Sequence, residues 1–149
     1  MAENNPFVIL PIFFLFFFTV CFLISKAGFS KYKQLVRVFP LGSGRGLPER
    51  WIFISPYFGG MEGSRNGFQF SADREGFYLQ VFWLFRFGLP RVFVPWGKVT
   101  VRAGKSFKFF PAVIFSFEGL PDVKMTWQRR EWEHAKEKFS EIWPGHLFP

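Results

Sequence analysis

The sequence predicts a mainly β domain, a small antiparallel barrel or roll closed by a C-terminal α-helix, behind one N-terminal transmembrane helix. Three observations predict it. The first 25 residues hold a long uncharged apolar run; glycine- and proline-bearing turns then recur at about ten-residue spacing; and from Arg129 the apolar period changes from two to three and four.

The composition bounds the reading. A chain of 149 residues, 49% hydrophobic and 23% aromatic, suits one ordinary domain and is far too apolar for disorder. The single cysteine, Cys21, excludes an internal disulfide, and two histidines, His134 and His146, do not make a zinc site alone. The net charge is +8, and every lysine and arginine lies after Ser25.

Residues 1–6 form a short tail. Phe7–Ser25, FVILPIFFLFFFTVCFLIS, is uncharged and shows no polar stripe. At about 1.5 Å per residue it covers roughly 28 Å, near the thickness of a bilayer core. It is read as a transmembrane helix, with Phe7, Phe13, Phe14, Phe16, Phe17, Phe18 and Phe22 as its membrane anchor. A cleaved signal peptide fits less well, because the leading segment is acidic and no small-residue cleavage site precedes Lys26. Lys26, Lys31, Lys33 and Arg37 follow the helix, with Arg45 and Arg50 beyond. Such a flank stays cytoplasmic, so the expected location is the inner membrane, N-terminus outside and domain inside. Lys26, Lys31, Lys33 and Arg37 are also the expected juxtamembrane contacts to anionic lipid.

Residues 26–50 are a connector, with a short helical extension through KYKQLVRVF and a glycine-rich break at LGSGRGLPER. GSGRG lacks the strand and the Lys-Ser/Thr of a phosphate-binding loop and reads as a flexible linker. Residues 51–149 are the β domain. Strands are expected at Trp51–Ser55, at Phe68–Ser71 after the loop GGMEGSRNG, and over the long apolar stretch Phe77–Phe87. Further strands follow at Arg91–Val94, Lys98–Arg102, Ser106–Phe110, Ala112–Phe117 and Val123–Trp127, with a turn at Gly104. Trp132, Ala135, Phe139, Ile142 and Trp143 mark one face of a helix over Arg129–Trp143 that packs on the sheet.

The segment EGFYLQVFWLFRFGLPRVFVPWGKV, Glu75–Val99, resembles the signature of a family of small uncharacterised bacterial proteins. Its Gly-aromatic-Tyr-Leu strand, Phe-Arg-x-Gly, proline turn and Pro-Trp opening match Gly76, Tyr78, Leu79, Phe85, Arg86, Gly88, Pro90, Pro95 and Trp96. Leu89, Arg91 and the pair Gly97-Lys98 depart from it. The resemblance extends over roughly Trp51–Pro144 and implies a pleckstrin-homology-like fold; it implies no activity.

No catalytic constellation, cofactor site or metal site is legible. Asp73, Glu75, Glu118 and Asp122 fall at turns, where acids commonly serve turn geometry. Lys98, Arg102, Lys105 and Lys108 form a candidate basic rim. Of the aromatic residues beyond the anchor, Trp51, Phe58, Phe82, Trp83, Phe107 and Phe110 are candidates for exposure at a protein interface. The functional expectation is a single-span, non-catalytic accessory subunit of a larger integral membrane complex of the respiratory or photosynthetic kind. Membrane lipids are further partners, and nucleic acid is not one. The alternative is a stand-alone module binding anionic headgroups through the basic rim.

Overall fold

A computed structural model describes residues 6–27, 29–58 and 67–147. The expected loop GGMEGSRNG lies, but for Gly67, outside the described residues. Two helices open the chain, α1 (Pro6–Ala27) and α2 (Ser30–Val38). Among the described residues seven strands follow: β1 (Ile52–Ile54), β2 (Phe68–Ala72), β3 (Gly76–Val81), β4 (Val92–Pro95), β5 (Val99–Ser106), β6 (Phe110–Phe117) and β7 (Leu120–Gln128). The last helix is α3 (Arg129–Lys138).

The strands form two antiparallel sheets, β1-β2-β3-β4 and β5-β6-β7, each in sequence order. Alternation decides what each sheet buries. Phe68, Phe70, Phe77 and Leu79 face inward from the first; Val113, Phe115, Met125 and Trp127 do so from the second. The Phe70 ring meets Trp127 edge-on at 4.9 Å, and Phe115 lies 4.8 Å from Trp127, so aromatic packing joins the two layers. Trp132 and Ala135 of α3, and Phe139 just beyond its end, are buried against this core, and Ile142 and Trp143 pack beside them. The helix itself ends at Lys138, and the chain continues to Trp143 in turns. On α2, Tyr32 and Leu35, three residues apart, put one face into the core and the helix lies on β7.

The expected transmembrane helix is corrected. α1 forms over that stretch, but among the described residues no helix is long and apolar enough to cross a membrane. The last turns of α1 are engaged by the domain: Cys21 is buried and Phe22 lies against Phe87, with ring centres 6.5 Å apart.

Strand boundaries differ from the sequence reading, most of all in two places. The apolar stretch Phe77–Phe87 is strand only to Val81, then a 3₁₀ turn at Trp83–Phe85. Gly88, at φ +68°, turns the chain back toward β4. Gly104 lies inside β5, opposite Ala112, so β5 runs unbroken to Ser106 and the expected strand Ser106–Phe110 is a hairpin turn.

Candidate binding surfaces

The outward face of β2, β3 and β4 carries Gln69, Tyr78, Gln80 and Phe93, with Arg91 just before β4, because their neighbours along the chain point into the core. Arg45, from the glycine-rich connector, stacks on Phe93 with its guanidinium carbon 3.7 Å from the ring centre. It also pairs with Glu75 and donates to Tyr78 Oη at 3.4 Å and to Asp73 Oδ2 at 3.5 Å. The expected flexible linker is therefore fastened to the sheet at this residue. Asp73 does the turn work expected of it, accepting from the Glu75 and Gly76 amides at 2.8 and 2.9 Å. Tyr78 donates to its other oxygen at 2.7 Å, and burial raises the Tyr78 hydroxyl above its ordinary range.

At the other end of this face, Arg86 and Arg91 surround Gln80, whose side chain is tied to Gln69 by a 2.7 Å hydrogen bond. Neither arginine has a carboxylate partner among the described residues. Burial and the nearby Arg86 charge lower the Arg91 pKa. Just inside, Tyr32 donates its hydroxyl to the Pro90 and Leu79 carbonyl oxygens at 2.7 and 3.2 Å.

Two clefts lie elsewhere. One, of about 660 Å³, is lined by Glu49, Arg50, Ser71, Glu137, Lys138 and Glu141 among others; the second, of about 600 Å³, holds Glu131 and exposed His134. The first mixes both charge signs around the buried Ser71 hydroxyl, with no histidine or cysteine beside it to act as base or nucleophile. In the second, one Glu131 oxygen accepts the Ser55 amide at 2.8 Å, a structural use. Among the described residues no group of three or more histidine, cysteine or acidic side chains is placed to hold a metal ion.

The proposed basic rim is spread out. Lys98 pairs with Glu118 at 3.0 Å, at one end of the second sheet. Arg102 lies midway along β5, Lys105 one residue before its end on the opposite strand face, and Lys108 in the turn beyond. Of the proposed lipid contacts, Lys31 and Lys33 are half-buried on α2 and Arg37 is exposed in its last turn; the side chains of Lys26 and Phe7 lie outside the described residues. Phe13, Phe14, Phe16, Phe17, Phe18 and Phe22 are all exposed on α1, as are Ile9, Leu10, Ile12, Leu15 and Leu23.

Among the aromatic residues expected at a surface, Phe58 is buried and Trp51 and Phe82 are half-buried. Trp83, Phe107 and Phe110 are exposed. The sequence reading missed Phe109, which is 81% exposed beside Phe107 at 67% and Phe110 at 62%. All three belong to the β5–β6 hairpin tip, where Phe107 and Lys108 take φ of 49° and 67°. The Phe109 amide closes the turn on the Ser106 carbonyl at 3.3 Å. Positive φ at both central residues is the signature of a turn that favours Asn-Gly, and left-handed backbone costs an ordinary residue on the order of 1 kcal/mol. Lysine alternating with phenylalanine in KSFKFF was the available signal.

No family model, no curated protein and no solved structure matches this chain.

Proposed function

We propose that the protein is a non-catalytic accessory subunit, docked on a larger membrane-protein assembly through the apolar surface of α1. One observation carries this reading. The large side chains from Ile9 to Leu23 stand exposed around the helix, while Cys21 and Phe22 fix its end to the β domain. Exposed apolar area of this extent favours a covering partner. Each phenylalanine or leucine transferred from water into such a contact contributes roughly 1.5–3 kcal/mol. Charges at a wet surface, by contrast, are screened within about 8 Å at physiological salt.

Purification of the tagged full chain in mild detergent tests the reading. Stoichiometric co-purifying subunits support it, and a lone monomer overturns it. Exchange of the phenylalanines of α1 for leucine keeps the helix apolar and should weaken the association, whereas neutralising Lys98, Arg102, Lys105 and Lys108 should leave it largely intact. The reverse pattern would make the contact electrostatic.

A further inference from the structure

We infer that the β5–β6 hairpin tip is a wedge for an anionic bilayer surface, its phenylalanines entering the headgroup boundary and its lysines engaging lipid phosphates. The inference goes beyond the accessory-subunit reading and uses no residue of α1.

The first argument is reach. The last β6–β7 pair is Ala112 with Gln128, but β5 and β6 continue through Lys105–Pro111 and Ser106–Phe110. Two further rows, about 7 Å of strand, and then the turn project beyond β7. Among the described residues the tip has one aromatic neighbour outside the hairpin, Tyr57, whose ring lies 5.5 Å from Phe107.

The second argument is the arrangement of the rings. Phe107, Phe109 and Phe110 place three exposed rings within four consecutive residues, with Lys108 between them. Aromatic and apolar side chains rimmed by cations are the pattern that settles at the headgroup boundary.

The third argument is charge. From Val99 to Phe117 there is no acidic residue, and Arg102, Lys105 and Lys108 are exposed. The acids of this sheet, Glu118 and Asp122, lie at its opposite end. Lysines beside the rings then face lipid phosphate with no competing carboxylate on the hairpin.

The test uses the full chain in a Cys21→Ser background, with an environment-sensitive fluorophore on Phe109→Cys and, as control, on Asp122→Cys. Vesicles of phosphatidylcholine, with and without phosphatidylglycerol, carry nitroxide-labelled lipid. Because α1 can bring the whole chain to any vesicle, only the signal at the tip is read. The Phe109→Cys label should brighten and be quenched on phosphatidylglycerol vesicles, and the Asp122→Cys label should not. Lys105→Gln with Lys108→Gln should weaken that half-saturation by roughly 30-fold, about fivefold for each lysine. Phe107→Ser with Phe110→Ser should abolish the quenching while the thermal unfolding profile stays intact. A tip label that remains in water on vesicles carrying the protein overturns the inference. So does one that dries only in a co-purified assembly, which would make the tip a protein contact; neither result bears on the role of α1.

Discussion

Arg86 and Arg91 share one acceptor: both guanidinium groups donate to Oε1 of Gln80, at 3.1 and 2.5 Å. Two half-buried cations thus meet on a neutral amide that is only 6% exposed. A carboxylate there would answer both charges. Gln80→Glu is therefore expected to stabilise the fold at neutral pH by about 1–2 kcal/mol, the increment of charge-assisted over neutral hydrogen bonds. The flanking arginines would hold the new carboxyl below the ordinary glutamate range. Its contribution should be complete above that range and disappear as pH falls through the lowered value. Urea unfolding of both proteins from neutral to acid pH checks this; Gln80→Leu should instead destabilise at every pH.

Tyr32 supplies an alkaline counterpart. Burial drives its hydroxyl well above the ordinary tyrosine pKa of about 10, with the Arg86 and Arg91 charges opposing. The folded state then holds a proton that the unfolded chain releases. Stability is complete below about pH 10 and falls as pH rises through the folded value. Tyr32→Phe should cost about 1–2 kcal/mol at neutral pH, by stripping the Pro90 carbonyl of its donor, yet make the alkaline decline shallower. Denaturant midpoints measured at neutral pH and above pH 10 separate the two effects.

Gly76 sits where no side chain fits. A β-carbon would lie 2.3 Å from the Val94 carbonyl oxygen and 2.7 Å from the Phe93 ring. The obstruction includes backbone, so β3 and β4 must separate to admit it. Gly76→Ala should destabilise by about 1–3 kcal/mol, the range for overpacking, read as a lower Tm.

The hairpin turn offers the opposite case. Phe107→Asn with Lys108→Gly gives the left-handed positions the residues they favour. The double variant should gain roughly 1–2 kcal/mol in stability while losing quenching by anionic vesicles. A gain in Tm accompanied by unchanged vesicle insertion would separate the turn's strain from the wedge role.

Much of the domain was legible because alternation and core position coincide. Phe68 and Phe70, then Val123, Met125 and Trp127, bury every second residue as their spacing predicts, and Trp132 and Ala135 do so at helical spacing. The failures have local causes. Gly104 reads as a turn but is tolerated within a paired strand, whereas the actual turn carries Phe107 and Lys108, side chains that ordinarily argue against one. Phe82–Phe87 is apolar enough for strand yet leaves β3 at Val81. Arg45 reads as one more connector cation, since its partners Glu75 and Phe93 are distant in sequence. The apolar N-terminus forms a helix, but among the described residues none is long and apolar enough to cross a membrane as expected, and its end is shared with the domain through Cys21 and Phe22, a contact that hydropathy cannot express.

The outer flanks of the two sheets are not alike. Along β4, Phe39 and Leu41 exchange backbone hydrogen bonds with Phe93 and Arg91, and on β7 the Tyr57 and Thr126 amides and carbonyls pair. β1 is only three residues long. That leaves β5, eight residues with no strand on its far side among the described residues, as the long unpaired edge of a chain with 25 phenylalanines. An edge of that kind templates a strand from another copy unless something discourages it. Arg102 and Lys105 lie on it and Lys108 at its end, so a second β5 approaching edge to edge would bring like charges together. The same cations thus work against edge-to-edge pairing of two copies of the chain.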